Sequence, residues 1–245
     1  VNVRKFALRW VGACCLASMP AMVTADPIRI AVPPIAHLLE ENGSGIYQRL
    51  LKEAMEPVGA DIKSVFFPYR RAIVAFDDRD VDCIYSFGDV LDKRYSPKEL
   101  VSSYPLGKFS FHIFTVRGEP PISSVGDWQK LRLAAIMGHE LYLDSVLAES
   151  GKVVMVGSEQ QAVRMLERGR VEAVIAAVPD INPFLPRLSY EQGYELLVSF
   201  DRLHCHNTES NRVFIETLSE QLKKLKASGG YARCRYSVRS FLMVT

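Results

Sequence analysis

The chain has 245 residues, with 30 lysines and arginines against 28 aspartates and glutamates, a formal charge of +2. Apolar residues make up 48% and charged residues 24%, a balance that excludes a disordered or collagen-like chain. The near-neutral charge also excludes the basic footprint of a nucleic-acid or anionic-lipid binder.

Residues 1–25 carry Arg4, Lys5 and Arg9, then an apolar run from Trp10 to Val23, then Val23-Thr24-Ala25. That order of basic, apolar and small residues predicts an export signal cleaved between Ala25 and Asp26. The alternative is a lipoprotein signal read at Cys14, but almost no apolar run separates Arg9 from that cysteine. Without the signal the chain has 27 basic and 28 acidic residues, a charge of −1. Export places it in an oxidising periplasm with three cysteines. Cys83 lies in an apolar run and is expected as a buried thiol; a Cys205–Cys234 disulfide stays open, because the count is odd.

The remaining chain alternates strand and helix patterns. Ile28–Val32 reads as a strand followed by Pro33-Pro34. Ser44 caps a helix with Ile46, Leu50, Leu51, Ala54 and Met55 on one face, and Pro57-Val58-Gly59 stops it. Ile62–Phe67 is a second strand, Pro68–Phe76 a second helix, and Val81–Phe87 a central strand closed by Gly88. This βαβαβ order predicts a parallel sheet with crossover helices.

The pattern then repeats. Phe109–Val116 reads as a strand, and Arg117-Gly118-Glu119-Pro120-Pro121 as a loop suited to a domain boundary. Strands follow at Leu131–Met137, Val153–Val156 and Val171–Val178, with helices at Glu140–Glu149 and after Ser158, so the second set spans roughly 127–195. Leu196–His206 is extended, and Phe214, Leu218, Leu222 and Leu225 form one face of a closing helix. Docked on the first sheet, that helix makes the chain cross between lobes near 116–120 and 198–204. The lobes are then 26–116 with 204–245, and 117–203.

Ligands of open α/β sheets bind beyond the carboxyl ends of the strands. Ser86, Phe87 and Asp89 therefore emerge at a ligand site. Arg94 follows by a short loop, and its guanidinium can hold a carboxylate at two points. Tyr69, Arg70 and Arg71 open a helix at the same end, where free amides favour an anion. Gly138 and His139 occupy the matching turn of the second set. His204, Cys205 and His206 are metal-ligand types without a further ligand at supporting spacing, so no metal or cofactor site is read. No phosphate loop, nucleophile elbow, His-Glu-x-x-His or Cys-x-x-Cys is present, which favours binding over catalysis.

The marks Pro33-Pro34, Gly45-Ile-Tyr, Tyr69-Arg-Arg-Ala72, Arg94, and the runs Leu166–Ile175 and Leu222–Arg233 resemble the family 3 extracellular solute-binding proteins. The resemblance implies a two-lobed type II periplasmic-binding-protein fold, each lobe an open, mostly parallel α/β sheet, joined by a two-strand hinge. It implies a monomer that captures an amino acid or similar carboxylate-bearing solute for an ABC importer, with a permease or a membrane sensor as partner. Arg94 matches the family's arginine for the ligand α-carboxylate, and Ser86 its small hydroxyl residue. The family's ammonium-binding acid falls at Ala177, so Asp180 would have to substitute. The same resemblance includes periplasmic dehydratases, for which Asp89, Glu140 and Asp180 are the available acids, and sensing partners of membrane signalling proteins.

Overall fold

The computed structural model describes residues 26–35 and 37–239, with side chains to residue 234. The expected export signal and Cys14 lie outside the described residues. Among the described residues, no helix is long and apolar enough to cross a membrane.

The first lobe is built from β1 (Ile28–Val32), α1 (Ile46–Met55), β2 (Ile62–Phe66), α2 (Tyr69–Asp77) and β3 (Cys83–Tyr85), then α3 (Gly88–Leu91) and β4 (Leu100–Ser102). β1 pairs in parallel with both β2 and β3, as the βαβαβ pattern requires. Ile30, Ala31 and Val32 are all fully buried because helices cover both faces of a parallel sheet. The first helix has Gly45 at its N-cap position rather than the expected Ser44. The Gln48 side chain accepts from the Gly45 amide at 3.1 Å, and a Cβ on Gly45 would lie 2.3 Å from the Leu38 carbonyl oxygen.

The second lobe contains β5 (Gly107–Val116), α4 (Val125–Trp128), β6 (Arg132–Ile136), α5 (Glu140–Ala148), β7 (Lys152–Val156), α6 (Glu159–Glu167) and β8 (Ala173–Val178), followed by β9 (Leu188–Ser189) and β10 (Leu197–Asp201). Its sheet runs β10-β5-β8-β6-β7, with β6 parallel to β7 and β8, and β5 antiparallel to both β8 and β10. The Ser158 hydroxyl caps α6 by accepting from the Gln161 amide.

Two expectations need correction here. Residues 107–116 belong to the second sheet, not the first, so the chain first crosses between sheets at 103–106 instead of 116–120. Alternation shows that β5 is a strand but not which sheet it joins, and five registered pairs with β8 decide that. The return crossing falls at Arg202, between β10 and β11 (Leu203–His206). Second, Cys205 pairs with Cys83 and not with Cys234, which is a buried free thiol. β11 lies antiparallel to β3 with Cys205 directly opposite Cys83, at a Cα–Cα distance of 4.0 Å, whereas Cys234 sits on α8 (Gly230–Arg239).

The closing helix α7 (Glu209–Ala227) docks on α1, β4 and β11 of the first lobe. It buries Phe214, Ile215, Leu218 and Leu222, with Leu225 only partly covered. At roughly 1.5–3 kcal/mol per buried side chain, this face holds a helix that would be marginal in isolation. A separate apolar cluster is shared by the lobes, joining Phe76, Ile84 and Phe87 of the first to Phe109, Phe111 and Tyr142 of the second.

Candidate functional site

β3 stops after three residues because Ser86 and Phe87 adopt left-handed φ values of 62° and 63°. Such conformations cost about 1–3 kcal/mol each for residues other than glycine and persist where surrounding structure enforces them. Here the Ser86 amide donates to the Arg202 carbonyl at the crossing, and the Phe87 amide donates to the Tyr142 hydroxyl at 2.8 Å. The ring of Phe87 is thereby packed against Tyr69, at 4.9 Å between centroids, and stacked on Tyr142.

A pocket lies between the lobes. The first lobe contributes Ile35 and Tyr69; the second contributes Phe109, Phe111, Tyr142, Ala177 and Asp180; Asp201 closes it beside the crossing. Its space is about 280 Å³, the mouth included. Three rings meet at steep angles: Phe109 with Phe111 at 89° and Phe109 with Tyr142 at 76°. Phe109 and Phe111 share a strand face through the two-residue period of β5.

Two acids sit in this apolar frame. Burial raises Asp201 to about 6; the Ser86 and Tyr47 hydroxyls oppose the shift, and Tyr47 donates to it at 2.7 Å. The Ser86 hydroxyl is buried without a well-formed hydrogen bond, yet near enough to favour the ionised carboxylate. Burial also pushes Asp180 well above the usual carboxylate range, reinforced by Glu159 and Asp201. His139 is 4% exposed, and burial lowers it to about 4, so it stands neutral 3.9 Å from Asp180. Burial likewise raises the Tyr69 and Tyr142 hydroxyls. His139, Glu159 and Asp180 bring possible ligand atoms within 4.8 Å of one another, so among the described residues they form a group that could hold a metal ion.

The expected site residues divide. Tyr69 and Asp180 line the pocket, and Ser86, Phe87 and His139 support its walls. Gly138, at φ 100°, lets the lobes meet, since a Cβ there would come within 2.5 Å of the Tyr69 ring. Asp89 is half-buried, with one carboxylate oxygen lacking a partner, and does not line the pocket. Arg94 does not reach the pocket either: its guanidinium is engaged by Asp77 at a half-exposed ion pair. Arg70 is exposed and pairs across the cleft with Glu140, its Nε lying 3.2 Å from Glu140 Oε1, while Arg71 is exposed. Burial opposes the ionised form of Glu140, but Arg70 and the Gly138 amide outweigh it and hold its pKa down.

His204, Cys205 and His206 are committed elsewhere. His204 bonds the Ser102 hydroxyl at 2.8 Å, Cys205 is in the disulfide, and His206 donates to the Phe76 carbonyl while stacking on that ring. Phe109, Phe111, Tyr142, Glu159 and Asp201 escape the sequence reading. The detectable signal was an aspartate ending the apolar run Leu197–Asp201 at a chain crossing.

A cleft between two α/β lobes, crossed twice by the chain and walled from both sides, is the two-lobed fold of the type II periplasmic-binding-protein class. Solved structures share that fold. The GluR0 ligand-binding core complexed with L-glutamate superposes with a TM-score of 0.69 at 15% identity, over 86% of this chain and 97% of that one. An arginine-binding protein of T. maritima reaches 0.64 at 18% identity, over 85% and 92%. The ancestral amino acid-binding protein AncCDT-1, described as a precursor of cyclohexadienyl dehydratase, reaches 0.64 at 15% identity, over 86% and 94%. No protein-family model matches the sequence, and no curated protein matches it either.

Proposed function

We propose that this chain is an exported solute-binding protein that closes its two lobes on one small polar solute and delivers it to an ABC importer in the membrane, without catalysis. The observation that carries this reading is the composition of the pocket wall, drawn from both lobes and the crossing, so that a ligand inside touches every moving part. Contacts at the rim support it: Arg70 to Glu140, and Lys93 Nζ to Asp144 at 3.0 Å. Each of these pairs opens when the lobes part, so a ligand that bridges the lobes favours the closed arrangement.

Ligand binding to the folded form alone raises the melting temperature by mass action. A thermal-shift screen of amino acids, amines and small carboxylates, followed by small-angle scattering with each hit, tests the reading. Stabilisation with compaction supports it. Absence of any stabilising solute, or chemical turnover of the hit, overturns it.

A further inference from the structure

The charges around the cleft are arranged asymmetrically. Three basic side chains around the cleft already have acids: Arg70 has Glu140, Lys93 has Asp144 and Arg94 has Asp77. Inside the pocket the reverse holds. Asp180 and Asp201 line it, and among the described residues no lysine or arginine lines it or pairs with either acid. Asp201 is 4% exposed, and the Tyr47 hydroxyl that donates to it is neutral.

Buried carboxylates without a cation are costly, and burial holds both acids toward their protonated forms; a cation entering between them is the partner that favours their ionised forms. The walls fit the same charge. Tyr69, Phe109, Phe111 and Tyr142 present aromatic rings, three of them in mutually tilted or perpendicular planes, and aromatic faces attract cations but not anions. A carboxylate placed here would meet two acids and no fork of donors.

We propose that the solute is a small organic ammonium ion, held by Asp180 and Asp201 inside the rings of Tyr69, Phe109, Phe111 and Tyr142, and that it needs no carboxylate. This rests on the solute-binding reading above and sets the chemical class of the ligand. Each ammonium hydrogen can donate to a carboxylate oxygen while the alkyl chain lies against the rings. The space of about 280 Å³ between the walls includes open solvent at the mouth, so a chain of a few carbons enters when the lobes part.

The test is calorimetric titration of the full exported chain with four matched four-carbon probes: putrescine, butylamine, γ-aminobutyrate and succinate. The two amines are expected to bind, γ-aminobutyrate more weakly, and succinate not at all. Asp180→Asn and Asp201→Asn are each expected to weaken amine binding by roughly thirtyfold or more, the loss typical of a buried charge-assisted contact. Replacing a buried acid by its neutral isostere leaves folding intact, which circular dichroism verifies. Phe111→Leu, which keeps the acids and removes a ring, is expected to weaken binding by roughly threefold or more.

Succinate or γ-aminobutyrate binding more tightly than either amine overturns the proposal while leaving the solute-binding reading in place. So does zinc binding that depends on His139 in a protein that ignores both amines, which would assign His139, Glu159 and Asp180 to a metal. If neither these probes nor the broader screen yields a ligand, both readings fall together.

Discussion

The Phe87 amide, on the first lobe, donates to the Tyr142 hydroxyl, on the second, at 2.8 Å. This bond joins the residue that ends the central strand to one that walls the pocket, so on the solute-binding reading closure and site formation are one event. Tyr142→Phe retains the ring and removes the acceptor. An unsatisfied buried amide costs about 1–3 kcal/mol, and that cost applies only when the lobes are closed. Ligand affinity is therefore expected to fall about fivefold to a hundredfold, with the unliganded melting temperature lowered much less. Titration of both proteins with the ligand from the screen checks this, and equal affinities would remove Tyr142 from the closing mechanism.

Gly138 makes a second such contact. Its φ of 100° and the 2.5 Å approach that a Cβ would make to the Tyr69 ring both demand glycine. Gly138→Ala is expected to hold the lobes apart, giving a larger radius of gyration with ligand than the unaltered protein shows. Tyr69→Ala in the same chain removes the steric clash and should restore compaction. Failure of that second change to restore it at a ligand concentration that saturates the double variant would mean the backbone conformation, and not the approach of Tyr69, is what matters.

The Cys83–Cys205 disulfide closes a sequence separation of 122 residues. By the chain-entropy relation, closing a loop of that size stabilises the fold by roughly 5 kcal/mol. Cys83→Ser with Cys205→Ser is expected to lower the urea midpoint accordingly, and reductant should then have no further effect. Cys234→Ser, by contrast, should leave the response to reductant unchanged.

Asp201 makes stability depend on pH in a defined direction. Its carboxyl titrates at about 6 in the fold against 3.8 for a free aspartate, because burial disfavours the charge. The folded state therefore holds this proton more tightly than the unfolded chain does. Its contribution is fully present below about pH 4, is lost as pH rises through about 6, and is flat above that. The interval corresponds to about 3 kcal/mol at 1.36 kcal/mol per unit. Asp201→Asn should match the unaltered protein in acid and exceed its stability at neutral pH, as measured by urea denaturation across about pH 4 to 8. Identical curves at all pH values would show that Asp201 is solvated.

Two lobes were legible because period-two and helical patterns recur twice along the chain, and because buried parallel strands such as Ile28–Val32 need continuous apolar runs. The closing helix was legible for a similar reason, its apolar face at Phe214, Leu218 and Leu222 requiring a surface to cover. Tyr69, Ser86, Phe87, Gly138, His139 and Asp180 could be placed near the pocket between the lobes because strand ends in such sheets converge there. These are local properties, and neighbours along the chain encode them.

Tertiary structure alone decided the rest. β5 joins the second sheet through antiparallel pairs with β8, which lies far along the chain from it, and no local pattern records a partner at that distance. Cys83 meets Cys205 because β11 returns antiparallel beside β3. Arg94 points to Asp77 and leaves the pocket without a cation, while Asp201, unremarkable in its own segment, is carried into the pocket by the second crossing. A side chain's charge is written in the sequence, but whether water, a counter-ion or a ligand answers it depends on which distant segments fold around it.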